Sequence, residues 1–177
     1  MKQPEVNQTD ISTVDSGSFR DRDGRIYHVD GRIIRGLSAG ALADFEKLLT
    51  KTFYTRCLDQ GLLVDTELLD SQHVPLPAEE RARWAAFVEH QRVPVISYPY
   101  EWTFGMLQDA ALLQLDLVEA AILEGMTLKD ATPYNVQFLN GRPVFIDIPS
   151  FEVLQPGSPW AGYRQFCEMF LFPLMLQ

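Results

Sequence analysis

An Asn-Gly pair between two short apolar runs constrains the fold of this chain more than any other local feature. Asn140 and Gly141 follow the run VQFL and, after one arginine, precede the run PVFI. Both turn residues tolerate the positive φ that a two-residue type I′ turn requires, so the pattern predicts a β-hairpin. The predicted strand pairs are Leu139 with Arg142 and Asn135 with Ile146.

The predicted hairpin gathers three polar side chains at its open end. Asp130 and Asn135 precede the first strand, and Asp147 follows the second. Two carboxylates and one carboxamide offer the oxygen ligands that a hard cation such as Mg²⁺ prefers, so these residues form a candidate metal site. A purely structural interpretation stays open, in which Asp130 caps a turn, Asn135 stabilises an Asx turn and Asp147 ends a strand.

Turn residues and hydrophobic patterns predict further elements along the chain. Asp30-Gly31 indicates a second hairpin, and Ser38 is placed to cap the helix that follows it. The predicted β segments cover residues 25–29, 32–35, 62–69 and 94–98, and the predicted helices cover residues 39–50, 78–90 and 162–173. The side chains expected to face inward from the second helix are those of Trp84, Phe87 and Val88, and segment 94–98 is expected to be buried.

Residues 103–123 are predicted to form a long helix, because apolar residues recur every three or four positions. Gly125 suits the C-terminal end of that helix, where a positive φ is common. The apolar face contains Phe104, Leu107, Ala111, Leu115, Val118 and Ile122. Strands thus cluster early and helices late, which predicts an α+β fold with two lobes rather than an alternating parallel sheet.

Charge and cysteine content exclude several classes of protein. The 177 residues suit one domain, and 15 basic against 24 acidic residues give a net charge of −9. This charge argues against binding to nucleic acid or to an anionic membrane surface. Cys57 and Cys167 stand far apart without a CxxC motif, so neither a disulfide framework nor a zinc site is indicated, and we expect a reduced cytoplasmic setting. No apolar run reaches the length of a membrane span.

The two ends of the sequence differ sharply in polarity. Residues 1–17 are polar, lack the plan of a signal peptide, and are expected to form a disordered tail. Residues 162–177 (GYRQFCEMFLFPLMLQ) are densely apolar and aromatic. Either these side chains pack on this domain or on a partner, or the chain is the front part of a longer protein. We favour the last alternative and expect a chain that is truncated at the C-terminus.

A long predicted helix is followed by Asp130, by Asn135 five residues later, and then by Asp147 after the hairpin. This arrangement resembles the catalytic loop of the kinase-like superfamily, in its aminoglycoside and small-molecule phosphotransferase branch. The resemblance implies a two-lobed protein-kinase-like fold with a reduced N-terminal lobe over residues 18–98 and an incomplete helical C-terminal lobe, carrying the catalytic hairpin, over residues 99–177. It also implies that Asp130 is the catalytic base, and that Asn135 and Asp147 hold Mg²⁺ against the phosphates of ATP.

The same resemblance implies supporting roles for five other residues. Lys129 would neutralise the γ-phosphate, and Arg35 would stand in for the phosphate-binding lysine with Glu46 as its partner. Tyr98 and Tyr100 belong to an aromatic cluster in the segment PVISYPYEW, where the hinge that receives adenine would lie. This cluster either stacks on a base or sugar or belongs to the core at the hinge edge.

The chain also departs from the kinase-like pattern. It has no G-x-G-x-x-G segment, and Asp147 is followed by Ile148-Pro149 rather than by Phe-Gly. Two functions therefore stay open. The first is an active phosphotransferase that acts on a small-molecule substrate, and the second is a non-catalytic pseudokinase module that binds a substrate or a partner.

A second resemblance covers almost the whole chain. The segments LKDATPYNV at residues 128–136 and WAGYRQFCEMFLFPLMLQ at residues 160–177, together with PVISYPYEW, are similar to the N-terminal part of a bacterial family of class I SAM-dependent methyltransferases related to a nodulation protein. The methyltransferase fold of that family lies downstream. The resemblance implies that S-adenosylmethionine would bind only to a downstream domain absent here, and that this C-terminal methyltransferase domain is a candidate partner.

Overall fold

The computed structural model describes residues 13–14 and 24–176. The tail predicted for residues 1–17 therefore lies outside the described residues, except for a two-residue strand. In the described part of the chain, five strands form one antiparallel sheet in the order β1-β2-β3-β5-β4. These strands are β1 (Thr13–Val14), β2 (Gly24–Val29), β3 (Arg32–Leu37), β4 (Thr66–Leu69) and β5 (Ala86–His90).

Both predicted hairpins are confirmed. Asp30 and Gly31, with φ of 50° and 76°, form the two-residue turn between β2 and β3. Asn140 and Gly141, with φ of 53° and 77°, join β7 (Val136–Leu139) to β8 (Arg142–Phe145) in the predicted register. A third pair of strands, β6 (Met126–Leu128) and β9 (Phe151–Val153), lies on either side of this hairpin in the sequence.

Four helices precede the Asn-Gly hairpin among the described residues. They are α1 (Ala39–Leu49), α2 (Thr52–Asp59), α3 (Ala78–Arg81) and α4 (Phe104–Leu123). The predicted cap of α1 is confirmed, because Ser38 Oγ accepts the N–H of Ala41 at 3.2 Å. Gly125, with φ of 76°, lies just after α4 as predicted.

The helix predicted for residues 78–90 is wrong. Only its first turn is helical, and Ala86–His90 forms β5, which lies between β3 and β4 in the sheet. Phe87 and Val88 are fully buried, as expected of inward-facing residues, but they point to opposite faces of a strand that is covered on both sides. Such a strand lacks apolar–polar alternation, so its pattern is hard to distinguish from that of a buried helix.

The buried strand predicted for residues 94–98 is also wrong. This segment has no regular secondary structure, and Val95 is 73% exposed. The side chain of Gln137 takes the place of a strand partner. Its Oε1 accepts the N–H of Ser97 at 2.9 Å, and its Nε2 donates to the Ser97 carbonyl at 3.0 Å. The β segment predicted for residues 62–69 shortens to β4.

The long helix α4 is confirmed, but its buried face is rotated from the predicted one. Leu107, Ala111 and Val118 are buried as expected, whereas Leu115 and Ile122 are 41% and 42% exposed. The helix carries apolar residues on almost every side. Their spacing therefore predicts that the segment is helical, but it does not predict which side of the helix is buried.

The C-terminal segment is helical beyond the predicted limit at Pro173. It consists of α5 (Tyr163–Phe166), a π-helical turn (Cys167–Leu171) and α6 (Phe172–Leu176). These three segments follow one another without a break, so Pro173 lies inside a continuous helix. It comes just after a π-helical turn in which the Phe172 N–H donates to the Cys167 carbonyl five residues back, so the α-helical hydrogen-bond pattern is already displaced there. The prediction that the helix ends at this proline is therefore wrong.

The fold is confirmed as mixed α+β, with one main core and a smaller one. The main core packs α1, α2 and α4 against the strands that follow α4. The smaller core contains Tyr27, Val29, Ile34, Val74, Leu76 and Phe87. No helix in the described part of the chain combines the length and apolar character that a membrane crossing needs.

Candidate functional site

The Asn-Gly hairpin brings Asn135 next to the segment that carries Asp147. Asn135 ends a 3₁₀ turn, Pro133–Asn135, and its carbonyl accepts the N–H of Ile146 at 2.9 Å. This bond extends the β7–β8 ladder by one residue at the open end of the hairpin. Two of the predicted metal ligands, Asn135 and Asp147, therefore lie at the same end of one rigid unit.

Two glutamines fix the main chain at Asp130. Gln114 Nε2, from α4, donates to the Asp130 carbonyl at 3.1 Å, and Gln165 Oε1, from α5, accepts the N–H of Ala131 at 2.7 Å. That carbonyl and that N–H belong to the same peptide group. The backbone at this position is thus held on both sides, while Asp130 itself is exposed.

Residues 129–132, which we call the Asp130 loop, connect β6 to the 3₁₀ turn. Two further hydrogen bonds fix the main chain where this loop begins. Trp160 Nε1 donates to the Leu128 carbonyl at 2.9 Å, and the Lys129 N–H donates to the Ser150 carbonyl at 2.9 Å. Lys129 is half-buried. Every residue from Leu128 to Ala131 therefore has a main-chain contact with a distant part of the fold.

An ion pair joins the five-stranded sheet to the end of the hairpin. Arg35 Nη1, on β3, donates to Asp147 Oδ1, and both side chains are largely buried. A charge-assisted bond in such surroundings is stronger than one on the surface. The structure thus brings together two of the predicted site residues, although the sequence predicted Glu46 as the partner of Arg35. Glu46 is exposed on α1.

The donor set of the predicted magnesium site, two carboxylates and one carboxamide, offers the oxygen ligands that Mg²⁺ prefers. The Nδ2 atom of Asn135, a hydrogen-bond donor that cannot bind a cation, is buried without a partner, so a metal ion would be bound through the Oδ1 atom of this carboxamide. No group of three or more His, Cys, Asp or Glu side chains suited to a metal occurs among the described residues. A site built from few carboxylates suits Mg²⁺, which commonly binds one or two carboxylates together with water and phosphate oxygens.

The predicted aromatic cluster separates into a packed part and an exposed part. Trp102 packs edge-on against Phe138 and donates from Nε1 to Ser97 Oγ at 2.9 Å. Tyr98 and Tyr100 stack in parallel, with ring centroids 5.4 Å apart, and both are exposed. The core-packing alternative therefore applies to Trp102, whereas the rings of the two tyrosines are exposed.

The tyrosine pair also lies near Tyr134, in the 3₁₀ turn Pro133–Asn135. Desolvation, together with the Glu101 carboxylate and the hydroxyls of Tyr98 and Tyr134, raises the pKa of Tyr100. Tyr134 follows Pro133 in the turn that ends at Asn135, and it is 50% exposed. The tyrosine pair is thus near Tyr134, the residue that directly precedes Asn135 in the chain.

Sequence reasoning missed the residues that hold the loop. Gln114 could have been noticed in the sequence, because it is a polar residue among the apolar residues of one face of α4. The structure shows that this face, with Gln114, is buried. Gln165 and Trp160 carried none, because their contacts depend on how the C-terminal helix folds back onto the loop. Local patterns do not specify such long-range contacts.

No family model matches this chain. The chain is similar to the nodulation protein NoeA of Rhizobium meliloti (strain 1021), with 38% identity over 162 residues. The match covers 92% of this chain and 33% of NoeA, so the chain spans about a third of the length of that relative. The predicted resemblance to a nodulation-protein relative is confirmed to this extent, and the resemblance to the kinase-like superfamily stays a prediction. The chain is thus similar to one portion of a longer nodulation protein.

Proposed function

We propose that this chain is a kinase-like domain that binds ATP and Mg²⁺ between the five-stranded sheet and the Asn-Gly hairpin and transfers a phosphoryl group to a small-molecule hydroxyl. The ion pair between Arg35 and Asp147 is the observation that carries the proposal. In protein kinases a basic residue on the third strand contacts the phosphates, and the aspartate after the catalytic hairpin holds the metal. Here Arg35 lies on β3 and Asp147 directly follows β8 and Ile146.

The order of the elements supports the same proposal. Strand β3 leads directly into a helix, and the long helix α4 leads through β6 into the Asp130 loop and then into the hairpin. This order places the loop, the carboxamide and the second carboxylate in the succession that phosphoryl transfer by kinases uses. The main-chain bonds at Leu128, Lys129, Asp130 and Ala131 would keep the loop rigid, as a site that works by positioning requires.

Each site residue has a role in this proposal. The Asp130 carboxylate would orient the acceptor hydroxyl and take its proton as the hydroxyl oxygen bonds to the γ-phosphorus of ATP and the bond from that phosphorus to the β-phosphate oxygen breaks, with ADP as the leaving group. Asn135 and Asp147 would hold Mg²⁺, which supplies positive charge to the phosphate oxygens. Arg35 and Lys129 add positive charge on either side of the transferred group. The exposed rings of Tyr98 and Tyr100 offer a stacking surface for the nucleotide.

A non-catalytic module is the second candidate. The position of the ion pair between Arg35 and Asp147 supports the first proposal, but the engagement of the Asp147 carboxylate in that pair favours the second. Asp147 Oδ1 is engaged by Arg35, an arginine where kinases have a lysine, and the planar guanidinium binds a carboxylate more firmly than an ammonium group does. A carboxylate held in this way is less available to a metal ion. In that case the domain binds a substrate or a partner for a methyltransferase domain of a longer cytoplasmic protein.

Calorimetry with ATP, with and without Mg²⁺, tests the proposal. We expect Mg²⁺-dependent binding that is lost in Asp147→Asn and kept in Asp59→Asn, a change at an exposed position on α2. Absence of binding at millimolar ATP would refute the nucleotide site. Binding without phosphoryl transfer to any hydroxyl compound, unchanged in Asp130→Asn, would instead favour the non-catalytic module.

A further inference from the structure

A shallow trough of about 430 Å³ lies between the exposed side of α4 and Trp160. Its apolar wall is formed by Leu115, Val118, Ile122 and Trp160, and Asp116 and Glu119 line it as well. We refer to this surface as the α4 trough. It lies apart from Asp130, Asn135 and Asp147, none of which lines it.

Three leucine and isoleucine side chains at the α4 trough are exposed, whereas Val118 is buried at its base. Besides Leu115 and Ile122, the neighbouring Leu123 is 79% exposed. These three side chains extend over about 12 Å, since an α-helix rises about 1.5 Å per residue. Contiguous exposed apolar groups with a polar border are typical of surfaces that bind another polypeptide.

The charged side chains of α4 indicate what kind of partner can bind in the trough. Asp109, Asp116 and Glu119 are its charged side chains, and the helix contains no lysine or arginine. A second copy of this chain would place like charges opposite one another, and an anionic lipid surface would be repelled. A helix with an apolar face bordered by lysine or arginine would complement both the wall and its acidic residues.

We propose that the α4 trough docks a basic amphipathic helix of another polypeptide segment. The span from Leu115 to Leu123 matches just over two turns of a partner helix that presents apolar residues at positions i, i+3 or i+4, and i+7. Its apolar side chains fill the space beside Trp160, and its basic side chains pair with Asp116 and Glu119. This inference does not depend on the phosphotransferase proposal.

A labelled model peptide tests the inference by fluorescence anisotropy. The probe is an amphipathic helix of about four turns with a leucine face and lysine flanks, and the matched probe carries glutamate in place of lysine. We expect the lysine peptide to bind at least about tenfold more tightly than the glutamate peptide. The preference should shrink with added salt, because the ion pairs are solvent-exposed.

Surface variants locate the binding. Leu115→Ser and Ile122→Ser should each weaken binding of the lysine peptide about fivefold or more, and Asp116→Asn with Glu119→Gln should reduce its salt dependence. The matched control, Glu67→Gln with Leu68→Ser on the edge strand β4, should change binding less than twofold. Urea midpoints close to that of the wild type confirm that the variants are folded.

Four results would overturn the inference. They are no binding of the lysine peptide, equal binding of the two peptides, binding that the α4 variants leave unchanged, and dimerisation in light scattering that Leu115→Ser abolishes. The last result would assign the trough to a second copy. A fifth result would also overturn the inference, because binding of the chain to anionic vesicles through the same residues would assign the trough to a lipid surface.

Discussion

Gln114 and Gln165 bind opposite ends of one peptide group, the one that joins Asp130 to Ala131. The first glutamine donates to its carbonyl from the helix before the hairpin, and the second accepts its N–H from the helix after it. A backbone position held in this way has little freedom to adjust. The conformation of the Asp130 loop therefore depends on the packing of both α4 and α5.

Replacing Gln165 should release one side of this peptide group. In Gln165→Ala the N–H of Ala131 loses its acceptor, so we expect about tenfold faster hydrogen exchange at that amide and a loss of about 1–2 kcal/mol in the free energy of unfolding. Gln165→Glu keeps an acceptor oxygen and should retain the protection. Equal exchange of Ala131 in the wild type and the alanine variant would contradict the assignment.

Glu124 should act as a long-range cap of α2. Its carboxylate accepts the N–H groups of Thr52 and Phe53 at 2.8 and 2.7 Å, at the start of that helix. These N–H groups have no partner within the helix, and a carboxylate there also interacts favourably with the helix dipole. We expect Glu124→Ala to reduce the free energy of unfolding in urea by about 1–2 kcal/mol.

The matched control for the cap is Glu119→Ala. Glu119 is exposed on α4, the helix that Glu124 follows, so its removal should change the free energy of unfolding by less than about 0.5 kcal/mol. Coincident urea curves for Glu124→Ala and the wild type would show that the two N–H groups find other partners.

Alanine should have opposite effects at two glycines. A Cβ at Gly36 would lie 2.5 Å from the Trp84 ring, which is held by its bond to Tyr27 Oη at 2.8 Å. We expect Gly36→Ala to destabilise the protein by about 1–3 kcal/mol. A Cβ at Gly105, in the first turn of α4, meets no atom within 4 Å, so Gly105→Ala should stabilise it by up to about 1 kcal/mol. Thermal melting should give shifts of opposite sign, and a Gly36→Ala protein that melts at or above the wild-type temperature would show that Trp84 is free to move.

Buried His90 should make stability fall in mild acid. Desolvation and the nearby charge of Arg35 lower the pKa of His90 to about 3, whereas its ordinary value is 6.5. As the pH falls from 6.5 toward 3, the unfolded chain gains a proton on this residue that the folded chain does not bind. The contribution of His90 to stability is thus complete above pH 6.5 and decreases by up to about 1.4 kcal/mol per pH unit below it.

Urea unfolding at pH 7, 6 and 5 measures this effect as a difference between variants. His90→Asn should flatten the fall in stability relative to the wild type, whereas His28→Asn, at an exposed position on β2, should leave the fall unchanged. An identical pH dependence in all three proteins would mean that His90 is protonated in the folded state. Carboxylates common to the three proteins cancel in the comparison.

The parts of the fold that the sequence predicted correctly depend on local chemistry. Asn140-Gly141 and Asp30-Gly31 specify their turns by their own φ preferences, and Ser38 caps the helix that begins next to it. Strand β5 was predicted as a helix because both of its faces are covered by other elements, which removes the alternation that identifies a strand. Neighbours in space, rather than in sequence, decide its conformation.

The candidate site shows the same division. The closeness of Asn135 to Asp147 was predictable, since a single hairpin of known register places them. The bond from Arg35 to Asp147 was not, because it joins the sheet to the hairpin across the fold. The resemblance to the kinase-like superfamily implied Glu46 as the partner of Arg35, whereas the packing of α1 leaves Glu46 in solvent and Arg35 pairs with Asp147.

The contact between Gln165 and Ala131 also sets an order of events during synthesis. The hairpin with its three polar residues leaves the ribosome well before Gln165 does. At a translation rate of about 5–20 residues per second, Gln165 is synthesised on the order of seconds after Ala131, so the Ala131 N–H lacks this acceptor during that time. During that interval the nascent chain has the residues of its candidate site without the rigidity that holds them, so this part of the fold completes late.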